Sequence, residues 1–207
     1  MQIVHDRWIP WRLGIDVGVK GCVAAYNAVT KELRLFELPY RQRPLASPKG
    51  KRKFESVPKP EEWLKAFEEY AGAQVIIEDL AALAGHYAYS EAQLMESFGM
   101  IQMACVAHRL TIVTVHPTSW KAFMFRDLGG MRAEKSVSVE IAKLLWPAAA
   151  EVLLKTKDGR ADALNLLCYD LLGERQRMEM KAKKQPPRTA IEAIFTGLNA
   201  EPLAVGY

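Results

Sequence analysis

Near its start the chain reads Trp11-Arg-Leu-Gly-Ile-Asp-Val-Gly-Val-Lys-Gly-Cys-Val-Ala-Ala-Tyr26, in which two apolar segments flank a pair of glycines. This pattern predicts an antiparallel hairpin of two strands, with the turn between Gly18 and Gly21. Asp16 lies within the first strand, where a carboxylate is unfavourable unless a hydrogen-bond donor, a cation or a metal ion compensates its desolvation. We therefore interpret Asp16 as a metal ligand.

Length and composition indicate one domain with a substantial core. The chain has 207 residues and 50% of them are hydrophobic, so we predict a domain over residues 1–185 and a tail of uncertain order over residues 186–207. The net charge is +4 and the basic residues are bunched, which favours a polyanion as the partner. The sequence has neither a membrane-spanning apolar run nor a secretion signal, so we expect a cytoplasmic protein.

The three cysteines, Cys22, Cys105 and Cys168, are far apart in the sequence and lie in apolar runs. We interpret them as reduced core residues, because no CxxC spacing is present that would indicate a zinc site.

A third strand and a long basic segment follow the hairpin. The alternation of apolar and polar residues in Glu32–Leu38 predicts a half-buried strand. Residues 40–60 are rich in proline and basic residues, so we predict a basic loop inserted into the domain. This loop is either a solvated linker or an arm whose Lys51, Arg52 and Lys53 bind the phosphate backbone of DNA.

A second candidate metal ligand, Glu78, ends a continuously apolar segment over Ala73–Asp79. Such a segment is typical of a strand buried on both faces of a sheet, and a helix beginning at Pro60 precedes it. If this strand lies parallel to the first one, Glu78 is brought beside Asp16. The alternatives are a carboxylate at a solvated strand end and a helix N-cap.

Aromatic residues follow Glu78 on a predicted loop that leads into a helix over Ser90–Arg109. His86, Tyr87 and Tyr89 lie on this loop, where aromatic rings can stack on exposed bases or wedge between them. The alternative role of the tyrosines is to cover the end of the helix.

Two further segments offer groups for a phosphate or a carboxylate. His116 ends a predicted strand over residues 110–115, and its role is either to hydrogen-bond such a group or to support the structure. A predicted helix that starts after Gly130 carries Arg132 and Lys135 in its first turn, which favours phosphate contact. The alternative is a solvated helix start.

Asp158 and Asp162 lie one turn apart at the start of a predicted helix whose other residues are largely apolar. Together with Asp16 and Glu78 they make four carboxylates, a set that suits two Mg²⁺ or Mn²⁺ ions. Two such ions activate a water and stabilise the leaving oxygen of a phosphodiester. The residues therefore predict metal-dependent hydrolysis of nucleic acid.

Four segments, in their order along the chain, resemble the RuvC-like Holliday-junction resolvases: Gly14-Ile-Asp-Val-Gly, Ile76-Ile-Glu-Asp-Leu, Gly130-Met-Arg-Ala-Glu-Lys-Ser and Asp158-Gly-Arg-Ala-Asp-Ala-Leu. The resemblance covers residues 11 to 173. It implies a ribonuclease H-like α/β fold, with three antiparallel strands followed by parallel strands and helices on both sides. It also implies a homodimer that resolves four-way DNA junctions by paired symmetric nicks.

The resemblance assigns roles by position. The implied metal ligands are Asp16, Glu78, Asp158 and Asp162, the implied basic residues near the scissile phosphate are Lys121 and Lys135, and the loop with His86, Tyr87 and Tyr89 enters the junction. The last two acids are four positions apart, a spacing that resembles phage- or virus-type members, whereas bacterial members usually have three. The segment 40–60 is a further departure from the family pattern.

Three other functions fit parts of the sequence. The same fold also supports nucleases that act on flaps, forks or RNA–DNA hybrids, and proteins that bind junctions without cutting them. The segment Gly14-Ile-Asp-Val-Gly-Val-Lys-Gly also resembles the phosphate-binding hairpin of sugar- or acetate-kinase-like ATPases. Those enzymes usually have a second domain and a further glycine-rich nucleotide loop, and neither is found in this sequence.

Overall fold

The computed structural model describes residues 10–18, 21–45, 53–80, 88–126, 135–153, 159–183 and 204–205. For Lys53, Tyr89 and Lys135 this description covers the backbone alone. The strands are β1 (Trp11–Asp16), β2 (Cys22–Asn27), β3 (Leu33–Glu37), β4 (Tyr40–Leu45), β5 (Lys53–Pro58), β6 (Gln74–Glu78), β7 (Thr111–Val115) and β8 (Ala204–Val205). The helices are α1 (Pro60–Glu68), α2 (Ala88–Ala107), α3 (Pro117–Met124), α4 (Lys135–Leu145), α5 (Gly159–Leu171) and α6 (Gly173–Ala182).

The main sheet has the strand order β7-β6-β1-β2-β3-β8. Strands β1, β2 and β3 are antiparallel neighbours, and β6 and β7 are parallel to β1. The prediction of three antiparallel strands followed by parallel strands is therefore confirmed, and this is a ribonuclease H-like arrangement. The two crossovers, through α1 and α2, bring the carboxyl ends of β1, β6 and β7 to one edge of the sheet.

Both faces of the sheet are covered by helices, because side chains of the central strands alternate between two cores. Leu13 and Ile15 of β1 belong to a cluster that includes Trp63 of α1 and Ile101 of α2. Ile76 of β6 faces the other cluster, whose largest contributions come from α3, α4 and α5. Consecutive strand residues therefore point to opposite helical layers.

Helix α5 packs against β1 at a position that only glycine fits. A Cβ on Gly14 would lie 2.3 Å from the carbonyl oxygen of Ala163 and 2.6 Å from the backbone nitrogen of Leu167. At the far end of the helix, Asp170 accepts hydrogen bonds from Gln74 Nε2 (2.7 Å) and Arg12 Nη1 (3.4 Å). Because later helix residues meet earlier strand residues, α5 runs antiparallel to β1 and its first turn lies toward the end of β1.

The buried Asp170 carboxylate lies near the C-terminal end of α5, far from its first turn, and anchors that end of the helix. Burial raises the pKa of Asp170, and the positive charge of Arg12 acts in the opposite direction. The side chain is 9% exposed, so the carboxylate depends on Gln74 and Arg12 for its hydrogen bonds. These contacts fix the helix against β1 and β6.

The prediction of a long loop over residues 40–60 is wrong for most of its length. Strands β4 and β5 form an antiparallel hairpin instead, in which Arg43 Nε donates to Glu55 Oε1 (2.6 Å) and Gln42 Nε2 donates to Ser56 Oγ (2.8 Å). Polar side chains, which in the sequence suggested a loop, thus pair across two strands. Residues 46–52, and with them Lys51 and Arg52, lie outside the described residues.

The C-terminal part contains more structure than the sequence pattern indicated. The basic segment after Leu172 is the helix α6, whose Arg177 donates from Nη1 to the carbonyl oxygen of Tyr169 (2.5 Å) and lies over the Tyr169 ring. Within the predicted tail, Ala204 and Val205 pair in parallel with β3. The other residues of that tail lie outside the described ranges.

The three cysteines are free and buried, as predicted. Burial raises the pKa of the Cys105 thiol to about 12, so it stays protonated and unreactive near neutral pH. None of the helices in the described part of the chain is long and apolar enough to cross a membrane.

Candidate active site

Asp16 and Glu78 come together at the carboxyl edge of the sheet. Strands β1 and β6 are parallel, with Ile15 paired to Ile77, and Asp16 and Glu78 are the next residues on each strand. Alternation along the strands turns both carboxylates toward the layer that contains α5, opposite to Ile15 and Ile77. The predicted placement of Glu78 beside Asp16 is confirmed, while the role of either residue as a metal ligand stays a prediction.

Glu78 is held by two donors from α3. Trp120 Nε1 donates to Glu78 Oε1 over 2.7 Å, and Lys121 Nζ lies 3.0 Å from the same oxygen. The Glu78 side chain is 14% exposed, so it needs these donors in place of water. Lys121 also lies over the Trp120 ring, 5.0 Å from its centroid. The sequence resemblance placed Lys121 near the scissile phosphate, and the structure places it beside a candidate metal ligand.

The His116 side chain caps the N-terminus of α3. It is the N-cap residue, and its Nδ1 accepts from the backbone N–H of Thr118 (3.2 Å) and lies 2.7 Å from Thr118 Oγ1. These contacts support the structural role of His116, since capping fixes where α3 begins and hence where Trp120 and Lys121 lie.

Asp162 lies in the first turn of α5, the end that points toward Asp16. Ser138 Oγ, from α4, donates a short hydrogen bond to Asp162 Oδ1. Asn165 Nδ2 donates in turn to Ser138 Oγ (2.8 Å) and to the Ser138 carbonyl oxygen (3.0 Å). Asn165 is fully buried, and its Oδ1 has no partner among the described residues. A buried polar chain thus runs from the core to a candidate catalytic acid.

Tyr40, the first residue of the β4–β5 hairpin, supports the turn that follows Asp16. Its hydroxyl donates to the carbonyl oxygen of Gly18 (2.7 Å) and lies 2.9 Å from Ser97 Oγ of α2. Burial raises the pKa of Tyr40 to about 12; the hydrogen bond with Ser97 opposes this shift, and the negative charge of Asp16 adds to it. The phenol is therefore a neutral donor near neutral pH, and it ties the hairpin to the site.

Several predicted site residues lie outside the described residues: Asp158, His86, Tyr87, Lys51, Arg52 and Arg132. Tyr89 is the second residue of α2, and Lys135 and Lys53 are the first residues of α4 and β5, respectively. Within the described ranges, no three His, Cys, Asp or Glu side chains are grouped closely enough to hold a metal ion. Three of the four predicted acids, Asp16, Glu78 and Asp162, lie in the described ranges, and they carry oxygen ligands of the kind that Mg²⁺ and Mn²⁺ prefer.

Sequence reasoning missed Trp120, Ser138, Asn165 and Tyr40. Asn165 gave a signal that was not used, because it is a polar residue among the buried apolar residues of α5. Ser138 and Trp120 gave no such signal, since a serine or a tryptophan in a helix is common in cores and on surfaces. Their roles arise from contacts between distant parts of the chain.

No protein-family model matches the chain, and no curated protein matches it. Similar solved structures include RuvC of Thermus thermophilus, with 14% identity over 93% of this chain and 99% of that one, at a TM-score of 0.45. T. thermophilus RuvC in complex with a Holliday junction substrate is 12% identical over 76% of this chain and 90% of that one, also with a TM-score of 0.45.

The yeast mitochondrial Holliday junction resolvase Ydc2 has 13% identity over 88% of this chain and 83% of that one, with a TM-score of 0.45. At such identities the likeness to RuvC and Ydc2 concerns the fold alone. The phage or viral origin suggested by the spacing of the last two acids stays a prediction.

Proposed function

We propose that this protein is a metal-dependent endonuclease that resolves four-way DNA junctions by paired nicks. The observation that carries the proposal is the placement of two acids, Asp16 and Glu78, side by side at one edge of the sheet, with a third acid on the helix that packs against β1. Asp16 and Glu78 end adjacent parallel strands, and Asp162 lies in the first turn of the helix that crosses them. Apolar strands rarely end in neighbouring carboxylates on one face, because the like charges repel unless cations join them.

The proposed cofactor is two Mg²⁺ or Mn²⁺ ions, held by Asp16, Glu78 and Asp162 together with Asp158. Bound there, the ions supply an activated water and stabilise the leaving oxygen of the phosphodiester. The chain's own residues orient the acids and balance their charge. Lys121 forms an ion pair with Glu78, and its 35% exposed side chain is also within reach of a phosphate at the same edge.

The proposed DNA contacts surround this edge. The β4–β5 hairpin is anchored beside Asp16 through Tyr40, and it exposes Arg41, Arg43 and the half-exposed ring of Phe54. Such basic and aromatic groups suit phosphates and unstacked bases. The remaining proposed DNA-binding residues are Lys121, Arg132, Lys135, Lys51, Arg52, Lys53, His86, Tyr87 and Tyr89.

We further propose a homodimer, because α2 carries an apolar stripe on its outer side. Met95, Met103 and Val106 are 52%, 41% and 78% exposed, and with Gly99 they recur at helical spacing of three or four residues. A glycine in such a stripe lets a second helix approach closely. A two-fold pairing of α2 with its copy would bury this stripe and place two sites on one junction.

Val106→Glu is expected to convert the dimer into a monomer, because it places a charge in the proposed interface. Light scattering after size exclusion measures the change. The matched control is Val29→Glu, since Val29 is 55% exposed in the turn between β2 and β3. A Val106→Glu protein with the same mass in solution as the wild type would contradict the proposed interface.

The proposed substrate is tested by incubating the protein with a labelled four-way junction, a flap, a fork, a linear duplex and an RNA–DNA hybrid. We expect cleavage in Mg²⁺ or Mn²⁺, none in EDTA, and strong preference for the junction. Equal cutting of all branched DNAs would support a less selective nuclease of the same chemistry. Tight junction binding without cleavage in any metal would overturn the catalytic proposal.

A further inference from the structure

We propose that Trp120 and the Ser138–Asn165 pair are positioning residues that fix the orientations of Glu78 and Asp162 for cation binding. This inference rests on the function proposed above and extends it to residues that do not touch the substrate. Each of these donors bonds one oxygen of its carboxylate, and so restricts the rotation that would otherwise carry the other oxygen away from the site. The donors are neutral, so they orient the acids without cancelling the charge that attracts a cation.

Trp120 is the fixed donor to Glu78. Its indole is fully buried, and its ring packs edge-on against Phe125 with centroids 5.4 Å apart, so the N–H direction is set by packing. Lys121 bonds the same Oε1, but its side chain is flexible and 35% exposed. A hydrogen bond from an N–H to a carboxylate is stronger than a hydrogen bond between neutral groups. Trp120 is therefore the contact that fixes the position of Glu78 Oε1.

Ser138 and Asn165 form the corresponding support for Asp162. Asn165 Nδ2 donates to Ser138 Oγ over 2.8 Å, so the serine hydroxyl uses its single proton for Asp162 Oδ1. Ser138 is 7% exposed and Asn165 is fully buried, so no bulk water competes for either contact. The direction of the bond is thus fixed through two residues from the core.

The energetic cost of Asn165 argues that its position serves the site. Burying an amide among apolar residues is unfavourable unless its groups are paired, and the Asn165 Oδ1 has no partner among the described residues. An apolar side chain among Leu164, Leu166 and Leu167 would avoid that cost. The two hydrogen bonds from the amide to Ser138 explain why an amide lies here, because they orient the serine that bonds Asp162.

The first test compares Trp120→Phe with Trp146→Phe. Both substitutions remove one buried indole N–H, but Trp146 donates to Cys168 Sγ (2.9 Å) in the core, away from the acids. Loss of an outer contact to a metal ligand weakens metal binding by roughly 10- to 100-fold. Calorimetric titration of the DNA-free proteins with Mn²⁺ is therefore expected to show a Kd at least about 10-fold higher for Trp120→Phe, and an unchanged Kd for Trp146→Phe.

The second test compares Ser138→Ala with Ser138→Thr. The alanine variant removes the donor to Asp162 and is expected to weaken Mn²⁺ binding by the same order, whereas threonine keeps a hydroxyl and is expected to retain it. Junction cleavage at limiting Mg²⁺ should fall with the Mn²⁺ affinity and recover at saturating Mg²⁺. Junction binding in EDTA should not change, because these residues do not touch DNA.

The outcomes separate this inference from the function on which it rests. If the wild type binds Mn²⁺ and cuts junctions, but Trp120→Phe and Ser138→Ala match their controls in Mn²⁺ affinity, the positioning role is overturned and the nuclease stands. Loss of junction binding together with Mn²⁺ binding would show a folding defect and also count against the inference. A wild type that neither binds Mn²⁺ nor cleaves DNA would overturn the proposed function and this inference with it.

Discussion

Asp16→Asn is expected to abolish junction cleavage while junction binding in EDTA is retained. The substitution keeps the size of the side chain and removes the charge of one proposed metal ligand at the end of β1, whereas the basic surfaces proposed to bind phosphates are unchanged. Stabilisation of transition-state charge by a metal centre is worth several kcal/mol, so its loss corresponds to a fall of at least about 10³-fold in rate. Single-turnover cleavage of a labelled junction and a gel-shift assay measure the two quantities.

A matched control for Asp16→Asn is Asp79→Asn, the same change at the residue after β6, which is not among the proposed ligands. The control should cut at the wild-type rate. Loss of both binding and cleavage in Asp16→Asn, accompanied by a lower melting temperature, would contradict the assignment and show that Asp16 supports the fold.

Gly14→Ala is expected to have the largest effect on stability. The added methyl would lie 2.3 Å from the carbonyl oxygen of Ala163, so α5 must move by about 1 Å to restore an ordinary contact. Overpacking against backbone atoms costs about 1–3 kcal/mol, and urea denaturation should show a loss of this size in the free energy of unfolding. Because α5 carries Asp162, a 1 Å displacement should also lower cleavage by about 10²-fold.

Gly18→Ala provides the comparison, because a Cβ on Gly18 meets no atom within 4 Å. Its stability should stay close to that of the wild type. If Gly14→Ala were as stable and as active as Gly18→Ala, the close contact between α5 and β1 would not be what places Asp162 at the site.

The strands that carry Asp16 and Glu78 could be predicted because their signals are local. An apolar run that ends in an acid identifies β6, and the glycine-flanked hairpin identifies β1 and β2. The connection between β1 and β6 then follows from the preference of parallel strands for right-handed crossovers. The three antiparallel strands, and the neighbourhood of Asp16 and Glu78 on parallel strands, were therefore accessible from sequence alone.

The β4–β5 hairpin could not be predicted by the same means. Its stability depends on cross-strand pairs such as Arg43 with Glu55, and on the bond from Tyr40 to Gly18, which join residues far apart in sequence. The proline and charged residues of this segment are typical of loops, so composition indicated a loop where the structure has a hairpin. Likewise, α6 is polar along most of its length, so apolar periodicity gave little indication of a helix.

The residues that support the acids were also beyond sequence reasoning. Trp120 and Ser138 acquire their roles only when α3 and α4 pack beside the sheet edge. No spacing in the sequence predicts their hydrogen bonds to Glu78 and Asp162. Asn165 was visible as a polar residue in an apolar helix, but its partner was not. Pairwise contacts between separate helices are set by packing, which a one-dimensional pattern does not contain.

The most direct test of the central claim is to map the nicks on a four-way junction at nucleotide resolution, with each of its four strands labelled in turn. With Mg²⁺ we expect two nicks, at symmetry-related positions on opposite strands, and none with EDTA or with Asp16→Asn. Nicks that persist in EDTA, or that fall on a single strand without a symmetric partner, would contradict a metal-dependent resolvase built on Asp16, Glu78 and Asp162.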